Sequence, residues 1–370
     1  MNRSVNVIIT RCASNPIISP HMIRPSIPGW EVIGSFNAGV VRHEEEIIML
    51  LRVAERPVQD DPDVVMCPVC RTDGEACGDD RPFTVITLNR NDPDYDLGDS
   101  RVVRDRKGNT VYLTSISHLR LARSRDGIRF EIDERPTIMP EGPLETWGIE
   151  DPRITQLDGE YLITYSAVSD KGVGVGLIRT ADFQSYQREG LILPPTNKDA
   201  VIFPERIGGK YLMLHRPVPS GIGTPDIWLA ESDDLKYWGH HRFVMGVRPG
   251  NWESARIGAG CVPIRTEHGW LILYHGADEE HRYGMNAALF DLEDPGRVIA
   301  RLHEPFMIPE ADYEKEGFFS DVVFACGAVV DGDYVHMYYG AADEHIGRVT
   351  FQLSQLMNVL LSSRYYIQYR

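Results

Sequence analysis

The chain has 370 residues, 42 % of them hydrophobic, and a net charge of −16. That allows two or three average domains, or one large domain built from repeats. The acidic balance argues against a nucleic-acid or membrane-surface partner, which would favour a basic face, and no apolar run approaches the ~18 residues that span a bilayer. A soluble protein handling neutral or small ligands is expected. The N-terminal "MNRSVNVIITRCASNP" lacks a signal-peptide core, so the cytoplasm is the default location.

The first 30 residues carry several prolines and are read as an N-terminal extension (1–30) that wraps the main domain or an adjoining subunit. A homo-oligomer is thus a candidate assembly. Five strand-like segments then share one build: "EEEIIMLLRVAER" from Glu44, "DGEYLITYSAVSD" from Asp158, "GGKYLMLHRPVP" from Gly208, "HGWLILYHGAD" from His268 and "DGDYVHMYYGAAD" from Asp331. In four of them a Gly or Asp-Gly turn leads into an aromatic-rich alternating strand, a hairpin signal. Each ends in polar side chains: Arg52, Ser166, His215 with Arg216, His275, and Asp343. Between them recur "LARSRDGIRF", "LIRTADFQSY" and "LAESDDLKYW", each a strand, an acidic turn and an aromatic. Strand-rich repeats of roughly 40–60 residues indicate propeller blades. The expected fold is all-β: a five-bladed β-propeller over 31–352, followed by a short helix and tail over 353–370. There "TFQLSQLMNVLLSSR" has helical apolar spacing. A two-sheet sandwich competes, but it would not place similar polar ends at similar intervals.

The long gap between the first two segments holds "CPVCRTDGEAC", with Cys67, Cys70 and Cys77. Residues 58–82 are read as a loop insertion. Three cysteines could begin a zinc site, but such a site needs a fourth ligand and none is near in sequence. Free thiols are the better reading, and no metal is expected.

A propeller brings the inner strands of all blades to one axis, so polar residues at matching positions converge. The first blade offers Asn37 and Arg52. The second offers Asp151 and Arg153, within "WGIEDPRIT". The third offers Lys198, Asp199, His215 and Arg216. The fourth offers His275 and Asp278, with Tyr283 beyond, and the fifth Tyr338, Tyr339 and Asp343. Pro152 disfavours helical backbone before it, so Asp151 is expected in an extended conformation at the lip of a strand. Carboxylates beside aromatics suit a carbohydrate. The basic residues are surplus to a glycosidase, which needs two carboxylates. A phosphorylase imports phosphate as its nucleophile and needs a cationic cradle. Arg52, Lys198, His215 and Arg216 would form one. Blander readings compete. "HRP" can end a strand with an exposed Arg, the "SRDG" and "SDD" acids form turns, and one of Tyr338 and Tyr339 belongs to the core because they alternate across the sheet.

Taken together, "GIEDPRIT", "NKDAVIFPERIGGKYLMLHRP", "LILYHGAD" and "YYGAAD" resemble glycoside hydrolase family 130, the β-mannoside phosphorylases, from Phe36 to Arg348. The resemblance implies a five-bladed propeller on which inorganic phosphate reversibly cleaves a β-mannosidic bond with inversion, giving α-mannose 1-phosphate. Phosphate is the co-substrate and no cofactor is implied. The resemblance makes Asp151 the general acid, acting through a sugar hydroxyl. It places Lys198, His215, Arg216 and Arg52 at the phosphate. Asn37, Arg52, Arg153, Asp199, His275, Tyr283 and Asp343 fall around the sugar. Family members that hydrolyse lose the basic site, whereas "NKD" and "HRP" are intact here. Glu205 and Glu253 are the acids to inspect for a hydrolytic base. The segment "SDVVFACG" departs from the family pattern, with Asp321 and Ala325 where Asn and Pro are usual. An inverting β-mannosidase on the same fold and a non-catalytic sugar-binding propeller are the alternatives. Linkage (β-1,2 or β-1,4) and acceptor sugar depend on loops that the motifs do not fix.

Overall fold

The computed structural model describes residues 7–71 and 83–363. After β1 (Thr10–Arg11) and a 3-10 turn at Pro20–Met22, a first antiparallel unit takes β2 (Trp30–His43) and β3 (Glu46–Pro57). An excursion forms β4 (Val64–Cys70), β5 (Phe83–Asn89), β6 (Tyr95–Asp96), β7 (Val102–Asp105) and β8 (Thr110–Leu113). The chain then returns to complete the unit with β9 (Ile116–Ser124) and β10 (Glu131–Ile132). The second unit is β11 (Gly148–Leu157), β12 (Glu160–Ser169), β13 (Gly172–Thr180) and β14 (Gln187–Leu193). The third is β15 (Asn197–Ile202), β16 (Tyr211–Pro217), β17 (Ile227–Ser232) and β18 (Gly239–Met245). The fourth is β19 (Arg256–Ala259), β20 (Ile264–Thr266), β21 (Gly269–Ala277), β22 (Tyr283–Phe290) and β23 (Val298–Arg301). A one-turn helix α1 (Asp312–Lys315) precedes β24 (Val323–Asp331), β25 (Tyr334–Ala341) and β26 (His345–Gln352), and helix α2 (Leu353–Ser363) follows. The first two units join into one sheet through a parallel pairing of Gly148 with Ser117.

The five repeated segments are β3, β12, β16, β21 and β25, each the hydrogen-bonded neighbour of its unit's first strand. Their sequences read as near-continuous apolar runs because both faces are buried. Successive side chains of a strand point to opposite faces, and each face meets a different neighbour. Leu271 and Leu273 of β21 pack against the fifth unit, while Trp270, Ile272 and Tyr274 pack against the third. Leu212 and Leu214 of β16 face the fourth unit and Met213 the second. Ile48 and Leu50 of β3 face the second unit, while Met49, Leu51 and Val53 face the fifth. Each core is thus shared by two consecutive units, and the last is shared by the fifth and the first. Tyr338 and Tyr339 follow the same rule. Both are core residues, one in each adjoining cluster, so the expectation that only one would be core is corrected.

Residues from the N-terminal extension supply the fifth unit's fourth strand. β1 pairs with β26, and Ile18 bridges Ile346. Arg11 donates to both carboxylate oxygens of buried Glu314, at 2.8 and 2.9 Å, and Tyr339 donates to the same group at 2.6 Å. At the other end Asp333 caps α2, accepting from the Leu353 N–H through its carbonyl and from Ser354 through its carboxylate. Leu356, Met357 and Leu360 seal the core between the fourth and fifth units.

The segment read as a loop at 58–82 contains β4, whose partner β5 lies beyond it. The whole excursion runs from 58 to 115, because β3 and β9 pair directly on either side of it. Cys67 and Cys70 are buried free thiols on β4, and Cys70 donates to the Pro140 carbonyl at 3.3 Å. Cys77 lies outside the described residues. Among the described residues no group of three or more His, Cys, Asp or Glu could hold a metal ion, and no helix is long and apolar enough to cross a membrane.

Glu314→Ala removes the buried anchor of β1 and leaves Arg11 with its exposed partner Glu310 and the Ile308 carbonyl, a loss of about 2 kcal/mol. Urea unfolding should show it, together with faster proteolysis near Arg11 than in the wild type.

Candidate active site

Three inner strands carry the same irregularity. β2 shifts register between Phe36 and Gly39, β11 between Glu150 and Arg153, and β15 between Lys198 and Val201. At each bulge one residue adopts left-handed backbone: Asn37 at φ +49°, Asp151 at +49° and Asp199 at +52°. Asn and Asp tolerate that region better than other side chains, and a bulge re-aims the side chain it carries. The extended backbone expected for Asp151 is therefore not found. Pro152 bends the chain within the bulge, outside the paired register, where its missing N–H breaks no ladder.

Two of the re-aimed side chains, Asn37 and Asp151, meet at a cleft of about 320 Å³ to which every unit contributes. Asn37 and Arg52 come from the first unit, Glu150 and Asp151 from the second, and Lys198 from the third. Arg256 and Tyr283 come from the fourth, Phe324 and Asp343 from the fifth, and Arg101 from the excursion. Arg52 is the hub. It donates from Nη1 to Asp151 Oδ1 at 2.9 Å, from Nη2 to Glu150 Oε1 at 2.8 Å and from Nε to Ser117 Oγ at 3.1 Å. Its guanidinium lies 4.4 Å over the Phe36 ring. Asn37 Nδ2 donates to the same Asp151 oxygen at 2.9 Å. Gly340 is obligatory behind it, since a Cβ there would lie 2.2 Å from Asn37 Oδ1.

A second layer lies beneath the cleft. Arg153, 1 % exposed, donates to the Asp151 carbonyl at 2.8 Å and to Asp199 Oδ1 at 3.4 Å. Asp199 Oδ2 lies 3.1 Å from both Arg216 Nε and His275 Nε2. Phe324 packs over His275 with ring centroids 4.0 Å apart. Gly258 must be glycine here, because a Cβ would come within 2.2 Å of Asp199. His215, beside Arg216, has both ring nitrogens engaged, Nδ1 with Asn197 and Nε2 with His241, each at 3.0 Å. Of the residues expected at the site, Asn37, Arg52, Asp151, Lys198, Tyr283 and Asp343 line the cleft. Arg153, Asp199, His215, Arg216 and His275 stand behind it.

Glu150, Arg256 and Arg101 line the cleft without having been singled out. Glu150 directly precedes Asp151, and that adjacency was the available signal. Arg256 sits on a four-residue strand with no aromatic repeat to mark it. Neither hydrolytic candidate reaches the cleft. Glu205 is exposed and paired with Arg265 at 3.2 Å. Glu253 is enclosed by Arg248, Arg301 and Tyr274.

Burial alone would raise the Asp151 carboxyl, but Arg52, Lys198, Arg153 and the Asn37 amide outweigh it and hold it below the usual carboxylate range. Asp199 is held well below that range against its own burial by Arg216 and His275. Asp343 goes the other way. Burial pushes it up to about 6, the Asp151 charge adds to the rise, and Arg52 only partly opposes it. Burial also pulls His275 down to about 4 and His215 down to about 3, so both imidazoles are neutral at pH 7. The cations differ in compensation. Arg52 is neutralised by Glu150 and Asp151, and Arg101 by Asp99. Lys198 and Arg256 have no carboxylate partner among the described residues; Arg256 bonds only Tyr283 and His281. The cleft therefore offers a buried acid next to two cations that form no ion pair among the described residues.

Fold and cleft are those of a carbohydrate-active family. The sequence model of glycoside hydrolase family 130, described as β-1,4-mannooligosaccharide phosphorylase, matches residues 101–362, and the chain belongs to that family. It is 47 % identical over 354 residues to the β-1,2-mannobiose phosphorylase of Listeria innocua, covering 95 % of this chain and 98 % of that protein. The solved structure of that enzyme in complex with β-1,2-mannobiose superposes with a TM-score of 0.92 over 96 % of this chain and 99 % of the other. The 1,2-β-oligomannan phosphorylase of a Thermoanaerobacter species is 43 % identical over 65 % of this chain and 80 % of its own length.

The charge pattern has a checkable consequence. Asp343 should titrate near pH 6 in carboxyl-resolved NMR of ¹³C-labelled protein. Asp151→Asn removes an anion that raises it, so the Asp343 pKa falls. Arg52→Ala removes a cation that lowers it, so it rises. Equal values in all three proteins would refute the assignment.

Proposed function

We propose that the protein is an inverting β-mannoside phosphorylase whose substrate is β-1,2-mannobiose. The observation that carries this reading is the buried Asp151 set in one cleft beside Lys198 and Arg256, cations that form no ion pair among the described residues. The relative that spans the chain supports the β-1,2 linkage. A dianionic nucleophile needs positive charge that is not already spent on protein carboxylates. Phosphate sits between Lys198 and Arg256. Arg216 faces Lys198 across β15 and β16, and its Nη1 is buried without an acceptor, which a phosphate oxygen would supply. His215 and Asn197 brace this wall from behind rather than touching the anion. Asn37, Arg52 and Asp343 hold hydroxyls of the mannosyl unit, and Tyr283 flanks it. Arg153, Asp199 and His275 fix the inner strands beneath.

A phosphate oxygen attacks the anomeric carbon as the glycosidic C–O bond breaks. The leaving oxygen takes a proton that Asp151 delivers through a sugar hydroxyl. Asp151 is ionised in the empty cleft, so binding must protonate it. Phosphate cancels part of the field of Lys198, and sugar excludes water; both changes raise its pKa. The nucleophile comes with the co-substrate, so the chain needs no second carboxylate as base. That separates it from an inverting mannosidase, which would need one. The reaction runs in reverse from α-mannose 1-phosphate.

We further propose that the five units form a closed five-bladed β-propeller. The five shared cores, the last joining the fifth unit to the first, support this. The described cysteines are all free thiols, which suits the reducing cytoplasm.

Phosphate-dependent release of mannose 1-phosphate from β-1,2-mannobiose is the direct test. Free mannose formed at full rate without phosphate would instead mark a hydrolase. Asp151→Asn should lower kcat at least about a hundredfold, the scale of a lost general acid. Unchanged turnover in that variant would remove Asp151 from the mechanism, and sugar binding without any turnover in the wild type would mark a sugar-binding propeller. Lys198→Ala and Arg256→Ala should each raise the KM for phosphate more than the KM for mannobiose.

A further inference from the structure

The excursion between β3 and β9 belongs to none of the five units, yet it completes the cleft. Arg101, just before β7, lines it together with Asp343 and Tyr283. The Arg101 guanidinium is held along one edge and over one face. Nε and Nη2 donate to the two carboxylate oxygens of Asp99, each at 3.0 Å. Cζ lies 3.9 Å over the Phe319 ring. Phe319 is itself fixed by its N–H, which donates to the Ala342 carbonyl at 2.9 Å, next to Asp343. The remaining nitrogen, Nη1, donates to no group among the described residues. A guanidinium pinned by a fork and a ring has lost its rotamer freedom before any ligand arrives.

We propose that Arg101 is a specificity-determining residue that donates from Nη1 to a hydroxyl of the leaving sugar. This rests on the phosphorylase reading above. Three observations select that ligand. Arg101 is already neutralised by Asp99, which suits a hydroxyl rather than phosphate, whereas Lys198 and Arg256 keep their charge for the anion. The mannosyl unit must sit on the floor of the cleft, where Asp151 and Asn37 are buried. The Arg101 side chain is one-third exposed (34 %), on the rim where the leaving sugar departs to solvent. The excursion thus supplies the acceptor side of the site, and the five units supply the donor side.

The synthetic direction separates the two sides. With mannose as acceptor, Arg101→Ala should raise the acceptor KM about tenfold or more. The KM for α-mannose 1-phosphate should stay within twofold. Arg101→Lys, which keeps the charge but loses the planar fork, should fall between. Asp99→Asn should shift the acceptor KM in the same direction and keeps the test alive if Arg101→Ala fails to fold. A rise confined to mannose 1-phosphate or phosphate, or no change in any of these variants, overturns the proposal. Titration calorimetry of β-1,2-mannobiose without phosphate is independent of turnover. Arg101→Ala should weaken binding about tenfold even if the wild type proves not to be a phosphorylase, and unchanged binding overturns the proposal.

Discussion

A buried carboxylate is tolerable only when its charge is met by fixed partners. Asp151 is such a group, and much of the cleft is arranged around it. Arg52 and Asn37 both donate to one of its oxygens. Arg153 holds its carbonyl from below and is bound in turn to Asp199. Asp199 gathers Arg216 and His275. The chain of contacts crosses the first four units, so the carboxylate proposed as the general acid is also tied to the strands of all four. An enzyme that merely bound sugar would have no need to bury an acid among guanidinium groups.

The scaffold makes that concentration of charge feasible. Each of the five repeated strands spends both faces on apolar packing against its two neighbours. Polar side chains are left to the strand ends and to the bulges. A bulge is how a strand with no solvent-facing side re-aims one residue. Three bulges at corresponding places deliver Asn37, Asp151 and Asp199. Their left-handed backbone explains why each position is Asn or Asp rather than Glu or Gln. The longer side chains could carry the same amide or acid, but they lack the short polar arm that makes this conformation tolerable.

What the sequence makes legible follows from the same physics. The repeated strands announce themselves because a Gly-led hairpin and alternating aromatics are local features. Arg52 and Asp343 are found by position at the ends of those strands, and Lys198 by the "NKD" stretch that precedes the third. The bulges are not legible. Pro152 points toward an extended Asp151, and only the pairing of β11 with β12 shows that register is lost there. The depth of each residue is not legible either. Arg153 and Asp199 occupy motif positions as prominent as Lys198, yet a one-residue step along a strand separates floor from foundation. Arg256 lies on a strand too short for periodicity, and Arg101 lies in an excursion outside the repeat altogether. The cysteine-rich stretch looks like a surface loop by composition. In its described part it is a buried strand, because β5 supplies a partner from beyond the expected boundary.

The balance of charge within the cleft finally distinguishes an imported nucleophile from an activated water. Hydrolysis with inversion needs a second carboxylate free to accept a proton. Glu150 is committed to Arg52, and Glu205 and Glu253 lie elsewhere. Asp343, pushed up to about 6 by burial and by Asp151, is still mostly ionised at pH 7 and more basic than an ordinary carboxylate, so the acids alone do not decide the question. The deciding feature is therefore the cations. Two half-buried positive charges that form no ion pair among the described residues, in a chain of net charge −16, cost solvation free energy in the empty enzyme. A phosphate dianion recovers that cost on binding, while a neutral water molecule does not. The arrangement is stable in use only for a reaction that brings its own negative charge to the site.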